Sequence, residues 1–150
     1  MSARSDACYE IGMEKVVKDV GEFMDATSDP RPTKPELPAP AVRALRIRLL
    51  REEFDEYIEA ENDNDLVEIA DALADLTYIA VGTALKYGIP LDVVFREVHA
   101  TNMAKFPDGK ANVRSDGKVL KPEGWKPPDI AALLQRHGWE TQKDGVANGG

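Results

Sequence analysis

A chain of 150 residues that is 43% hydrophobic is the size of one domain, small enough that long helices would complete their core by oligomerising. A net charge of −8 excludes a general binder of nucleic acid or of anionic membranes, although a polyanionic small molecule stays within reach if divalent metal sits between the two. The single cysteine, Cys8, excludes an intrachain disulfide, and no run reaches the roughly 18 apolar residues of a membrane span.

The N-terminus carries Arg4, Asp6 and Glu10 and no apolar stretch, so it does not read as a signal peptide, and a cytoplasmic protein is expected. A first helix is predicted from about Cys8 to Met24, with Ile11, Val16, Val17, Val20, Phe23 and Met24 on its apolar side. Ser28 to Pro40 holds five of the ten prolines and must be an extended connector. A second helix opens at Pro40, where proline is tolerated, and runs to about Glu61. Asp63-Asn64-Asp65 breaks it and caps a third helix, about Leu66 to Tyr87, which stops at Gly88 and Pro90. A fourth runs from about Leu91 to Lys105. Pro107 to Pro128 lacks periodicity, with Lys118-Val119-Leu120 as its one extended piece. A short last helix, about Asp129 to His137, precedes a polar tail. The expected fold is all-α: a four-helix-bundle core completed by oligomerisation, with a loop-rich C-terminal segment.

The acids carry the chemistry. Val42, Leu45 and Leu49 fall on one stripe of the second helix, and one turn further that stripe meets Glu52, Glu53 and Glu56. On the third helix, Glu68, Asp71 and Asp75 are spaced three and four apart and share a face. The segment from Ala72 to Gly82 is apolar nearly all round, which predicts burial on most sides. A buried, unpaired carboxylate is costly, so something must neutralise the group. Arg46 and Arg48 are the arginines placed to turn toward neighbouring helices. An all-oxygen set suits Mg²⁺ or Mn²⁺, two of which can activate a water and stabilise charge on phosphorus. Glu59 and Glu61 read as a solvated face, and Glu52 reads equally as solvated or as supporting a ligand. An EF-hand at Asp63 fails on register, and a di-iron site lacks its Glu-x-x-His pairs.

Glu52-Glu53-x-x-Glu56, followed by an acid pair on the next helix, resembles the all-alpha NTP pyrophosphohydrolase superfamily, which includes MazG, the phosphoribosyl-ATP pyrophosphohydrolases and the dimeric dUTPases. The likeness extends through Gly88-Ile89-Pro90, Val98-His99-Ala-Thr-Asn102-Met-Ala-Lys105 and Asp116-Gly-Lys118-Val-Leu-Lys121-Pro-Glu-Gly124-Trp125, and is nearest a short bacterial or phage branch. The second motif of that superfamily is Glu-x-x-Asp. Aligned back from Gly82, its Asp is Asp75 but its Glu position is Ala72. Either Asp71 or Glu68 supplies the missing oxygen, or Glu68-Ile69-Ala70-Asp71 is the motif shifted by a turn.

The resemblance implies Mg²⁺, or Mn²⁺ in its place, with two or more ions held by Glu53, Glu56, Asp75, Asp71 and Glu68. A water attacks the α-phosphorus of a nucleoside triphosphate, Glu53 or its neighbour Glu52 takes the proton, and pyrophosphate leaves. It also implies a homodimer or homotetramer, and the phage-like branch makes dGTP and dUTP the leading substrates. Six basic residues between Lys105 and Lys126 face three acids. Of these, Lys105, Lys118 and Lys121, with Asn102 and Trp125, are the candidate substrate contacts, a solvated loop being the alternative. His99 reads as a core histidine rather than a base, and Phe23, Met24, Tyr78 and Trp125 read as core packing, with walls for a nucleobase as the alternative. The domain is read as single over 1–150, with a helical core at about 8–105, a substrate-side segment at 106–138 and a flexible tail at 139–150. A nucleotide sensor without turnover and a non-catalytic helical scaffold are the competing functions.

Overall fold

A computed structural model describes residues 12–141, and the predicted start of the first helix at Cys8 and the tail beyond Thr141 lie outside them. Among the described residues there are five helices and no strand: α1 Met13–Ala26, α2 Pro40–Asp63, α3 Leu66–Lys86, α4 Leu91–Met103 and α5 Ile130–Arg136. The one extended pairing is an isolated antiparallel bridge, Val113 to Val119, at the predicted Lys118-Val119-Leu120 piece.

Local chemistry sets the boundaries. Pro40 occupies the first turn of α2, and Asn64 ends that helix in the left-handed conformation at φ 56°. The Asp65 side chain then accepts hydrogen bonds from the amides of Val67 (3.0 Å) and Glu68 (3.2 Å), opening α3. That two-residue turn folds α2 back along α3, its one helical neighbour among the described residues. α3 stops at Gly88, whose φ of +63° favours glycine and where a Cβ would stand 2.2 Å from the carbonyl oxygen of Lys34. The proline-rich connector therefore crosses the α3–α4 corner in contact with it. Lys86 fastens it there, donating to Asp29 (2.6 Å) and to the carbonyl of Pro30 (2.8 Å). α4 ends at Met103, two residues short of Lys105, in tight turns leading to Pro107, which disfavours helix before it.

The core is thin. Val20 and Met24 of α1 close on Val81 of α3, flanked by Val16, Val17, Leu85 and Leu91. α3 is not covered on most sides as its composition predicts. α1 and α2 flank it, and Leu73 and Tyr78 stay exposed. Along α2 and the start of α3, Leu45, Phe54, Ile58 and Leu66 are exposed as well. No single described helix is long and apolar enough to cross a membrane, and α3 and α4 are bent by 114° at their junction.

Candidate active site

The α2–α3 hairpin decides where the acids go. Antiparallel packing brings the stretch around Glu53 opposite Asp71 and Asp75. The Glu53 carboxyl is pushed above its ordinary value of 4.5, first by its own burial and then by the negative charges of Glu56, Asp75, Glu52 and Asp71. Five candidate carboxylates thus share one field. Glu68, exposed in the first turn of α3, is not among the charges acting on Glu53.

The acids do not line a closed interior, as their phase along the helices predicts. Glu53 is half-buried, whereas Glu52, Glu56, Asp71 and Asp75 are exposed. The reason is that, among the described residues, no helix other than α3 contacts α2. Ala72, at the usual Glu position, is 6% exposed and packed in the fold. The helix thus turns the two acids on either side of it, Asp71 and Asp75, outward.

Among the described residues, none of the ion pairs involves Glu52, Glu53, Glu56, Asp71 or Asp75. Arg46, a sequence candidate for neutralising them, is committed elsewhere. Its Nε donates to Thr83 Oγ1 (3.0 Å) and its Nη2 to the carbonyl of Ile79 (2.9 Å). A Cβ at Gly82 would stand 2.9 Å from Nη2, so that glycine leaves room for the guanidinium to lie across α3. Burial lowers the Arg46 pKa, and Asp29 opposes the shift. Among the described residues, no three carboxylate, imidazole or thiol groups converge at metal-ligand spacing. The donors share a field without forming a finished cage.

The C-terminal candidates form a second group. Trp125 donates from Nε1 to the carbonyl of Thr101 (2.7 Å), docking its segment on α4. Lys121 and Lys105 lie over its ring, at 4.4 and 5.4 Å from the centroid. Lys105 also donates to Asn102 Oδ1 (2.8 Å). Asn102, Lys105, Lys121 and Trp125 therefore stand together. Lys118 belongs instead to the Val113–Val119 turn, where its amide donates to Asp116 Oδ1 (3.1 Å). Asn102 and His99 are exposed, not in the core.

Two cavities matter for placing a ligand. The larger, about 770 Å³, lies between the connector and the C-terminal segment, lined by Lys34, Leu37, Tyr87 and Trp139, and holds none of the candidate acids. The smaller, about 340 Å³, is lined by Phe23, Arg46, Tyr78 and Asp75 itself. Sequence reasoning named Phe23 and Tyr78 as possible base walls. It missed Asp29, which lies within the proline-rich connector and carries no motif.

Residues 20–102 match the profile of the family described as phosphoribosyl-ATP pyrophosphohydrolase. The chain belongs to this family. The match to the phosphoribosyl-ATP pyrophosphohydrolase family encloses all the candidate carboxylates and Asn102, while Lys105, Lys118, Lys121 and Trp125 lie beyond it. An uncharacterised protein of Acanthamoeba polyphaga mimivirus is 42% identical over 53 residues, which is 35% of this chain. The chain spans 21% of that protein's length.

The raised Glu53 pKa has a stability consequence. Because the folded value lies above the unfolded one, this carboxyl favours folding while protonated, and that contribution is lost as pH rises through the folded pKa. Glu53→Gln should therefore melt higher than the unsubstituted chain at about pH 7 in chelator, with the gap closing toward about pH 4. Parallel melting curves against pH check this, and a variant that melts lower at neutral pH contradicts the shared-field geometry.

Proposed function

We propose that the chain is a divalent-metal-dependent pyrophosphohydrolase that converts a nucleoside triphosphate to its monophosphate and pyrophosphate, in the cytoplasm, with dGTP or dUTP as leading substrates for nucleotide-pool control. The observation that carries this reading is the uncompensated carboxylate field around Glu53, inside the segment that matches the family.

The donor set fits a hard cation: it is all oxygen, carries excess negative charge and, among the described residues, forms no ion pair with a lysine or arginine. Glu53, Glu56, Asp71 and Asp75 would hold Mg²⁺ or Mn²⁺, with Glu52 and Glu68 at the margin. Bound there, the ions offset charge on the phosphate oxygens and on departing pyrophosphate. The chain itself supplies the proton acceptor. Glu53, or its neighbour Glu52, takes a proton from the water that attacks the α-phosphorus. The bond from that phosphorus to its bridging oxygen breaks, and the electron pair leaves on pyrophosphate. Asn102, Lys105 and Lys121, gathered at Trp125, bind the outer phosphates, with Lys118 reaching from the neighbouring turn.

A second copy of the chain completes the fold. Leu45, Phe54 and Ile58 on α2 and Leu66 on α3 are exposed where a partner helix pair would bury them, giving a dimer or a dimer of dimers. Sedimentation at micromolar concentration should show a dimer or tetramer, and a stable monomer contradicts this part of the account.

The direct test is pyrophosphate release from each common NTP and dNTP with Mg²⁺ and with Mn²⁺, products separated by chromatography. The expected result is monophosphate and pyrophosphate from a preferred nucleotide. Asp75→Asn should lower kcat at least about 100-fold with the fold retained. Unchanged turnover in that variant removes Asp75 from the site, and no turnover by the unsubstituted chain with either metal overturns the reading.

A further inference from the structure

We propose that the cavity beside Asp75 is a nucleobase subsite, and that Asp29 and Arg46 select bases presenting a carbonyl next to a ring N–H. The inference rests on the pyrophosphohydrolase reading for its substrate and goes beyond it in assigning the base and the residues that read it.

Position is the first support. The cavity, about 340 Å³ and open on one side, is bordered by α1, α2, α3 and the start of the connector, with Asp75 in its lining. A nucleotide whose phosphates lie at the carboxylates can therefore place its base here without leaving the same surface. The walls are the second support. Phe23 and Tyr78 meet edge to face, with centroids 5.6 Å apart and planes at 85°, and both rings are exposed. Such a pair leaves ring faces uncovered for a further planar group. Met24 and Ile79 add an apolar lining.

The polar groups are the third support, and they are of two opposite kinds. Arg46 is a donor only, oriented by Thr83 Oγ1 and the Ile79 carbonyl. Among the described residues those bonds use Nε and Nη2 and leave Nη1 without an acceptor. Asp29 is an acceptor only. Its Oδ1 takes the Lys86 ammonium at 2.6 Å and Oδ2 is left for another donor. Lys86 holds the carboxylate in place, and the Asp29 charge acts on Arg46. A base carbonyl is the strongest neutral acceptor on a base edge and suits the fixed guanidinium, while the adjoining ring N–H suits the carboxylate. Guanine, uracil and thymine carry that edge. Adenine and cytosine meet the pair only in reversed order, amino group to Asp29 and ring nitrogen to Arg46.

The test uses the full chain and compares kcat/KM for dGTP, dUTP, dATP and dCTP in the unsubstituted protein and in Asp29→Asn. The expected result is preference for a keto base, with Asp29→Asn lowering kcat/KM for dGTP and dUTP by roughly 10- to 100-fold, mainly through KM, and for dATP and dCTP by less than about 3-fold. An equal loss on all four nucleotides, no change, or an original preference for dATP or dCTP overturns the inference. Phe23→Ala, at an exposed ring that can be lost without unfolding, should weaken dGMP or dUMP binding in calorimetry and leave inorganic triphosphate binding unchanged. If the unsubstituted protein turns over none of the four, the pyrophosphohydrolase reading fails by itself. The subsite is then judged on monophosphate binding: binding lost in Phe23→Ala supports it, and no binding overturns it.

Discussion

Mutual repulsion among carboxylates on the α2–α3 hairpin is the constraint around which the rest is arranged. Glu53 sits half-buried in the field of Glu56, Asp75, Glu52 and Asp71, and its proton is held more tightly as a result. Each arginine or lysine that forms an ion pair among the described residues forms it with some other acid. A fold that keeps such a group of like charges together is destabilised by it, a common cost where stability is traded for function. What holds the two helices together is the short Asn64-Asp65 turn and the seating of Arg46 against Thr83 and Ile79.

Arg46 links the carboxylate side to the cavity side. Lying across α3 at Gly82, it takes a guanidinium away from the acids, leaving their charge free to attract a cation. The same placement sets a donor into the cavity walled by Phe23 and Tyr78. The connector contributes through Asp29, which Lys86 ties to the end of α3. One helix, α3, thus carries acids on its first half, an arginine-binding notch in its second half and a lysine anchor at its end.

Much of this was legible in the sequence. Proline at Pro40, the Asp65 cap and the Gly88-Ile89-Pro90 stop are local signals, and local chemistry alone decides them, so the helices fall close to where they were expected. The acid pattern located the two helices of the site for the same reason. Burial was less legible, because it depends on what packs where. Helical phase placed Glu56 and Asp75 inward, but among the described residues no further helix covers that face, and the acids are exposed. Arg46 turns toward a neighbouring helix as its position on α2 suggests, but nothing in its neighbourhood announces that Thr83 and Gly82, a full helix away, form its seat. Asp29 carries no motif, and only the path of the proline-rich connector brings it to the cavity. Asn102, Lys105, Lys121 and Trp125 were named together and do stand together, through a tryptophan docked on the Thr101 carbonyl.

The central claim is that the shared carboxylate field exists to hold a divalent cation. Calorimetric titration of Mg²⁺ and Mn²⁺ into the full chain, with and without a non-hydrolysable nucleotide, tests it most directly. The account predicts saturable binding that strengthens as pH rises through the Glu53 titration and is lost in Glu53→Gln and Asp75→Asn. Absence of binding by either metal, with nucleotide or without, would contradict it.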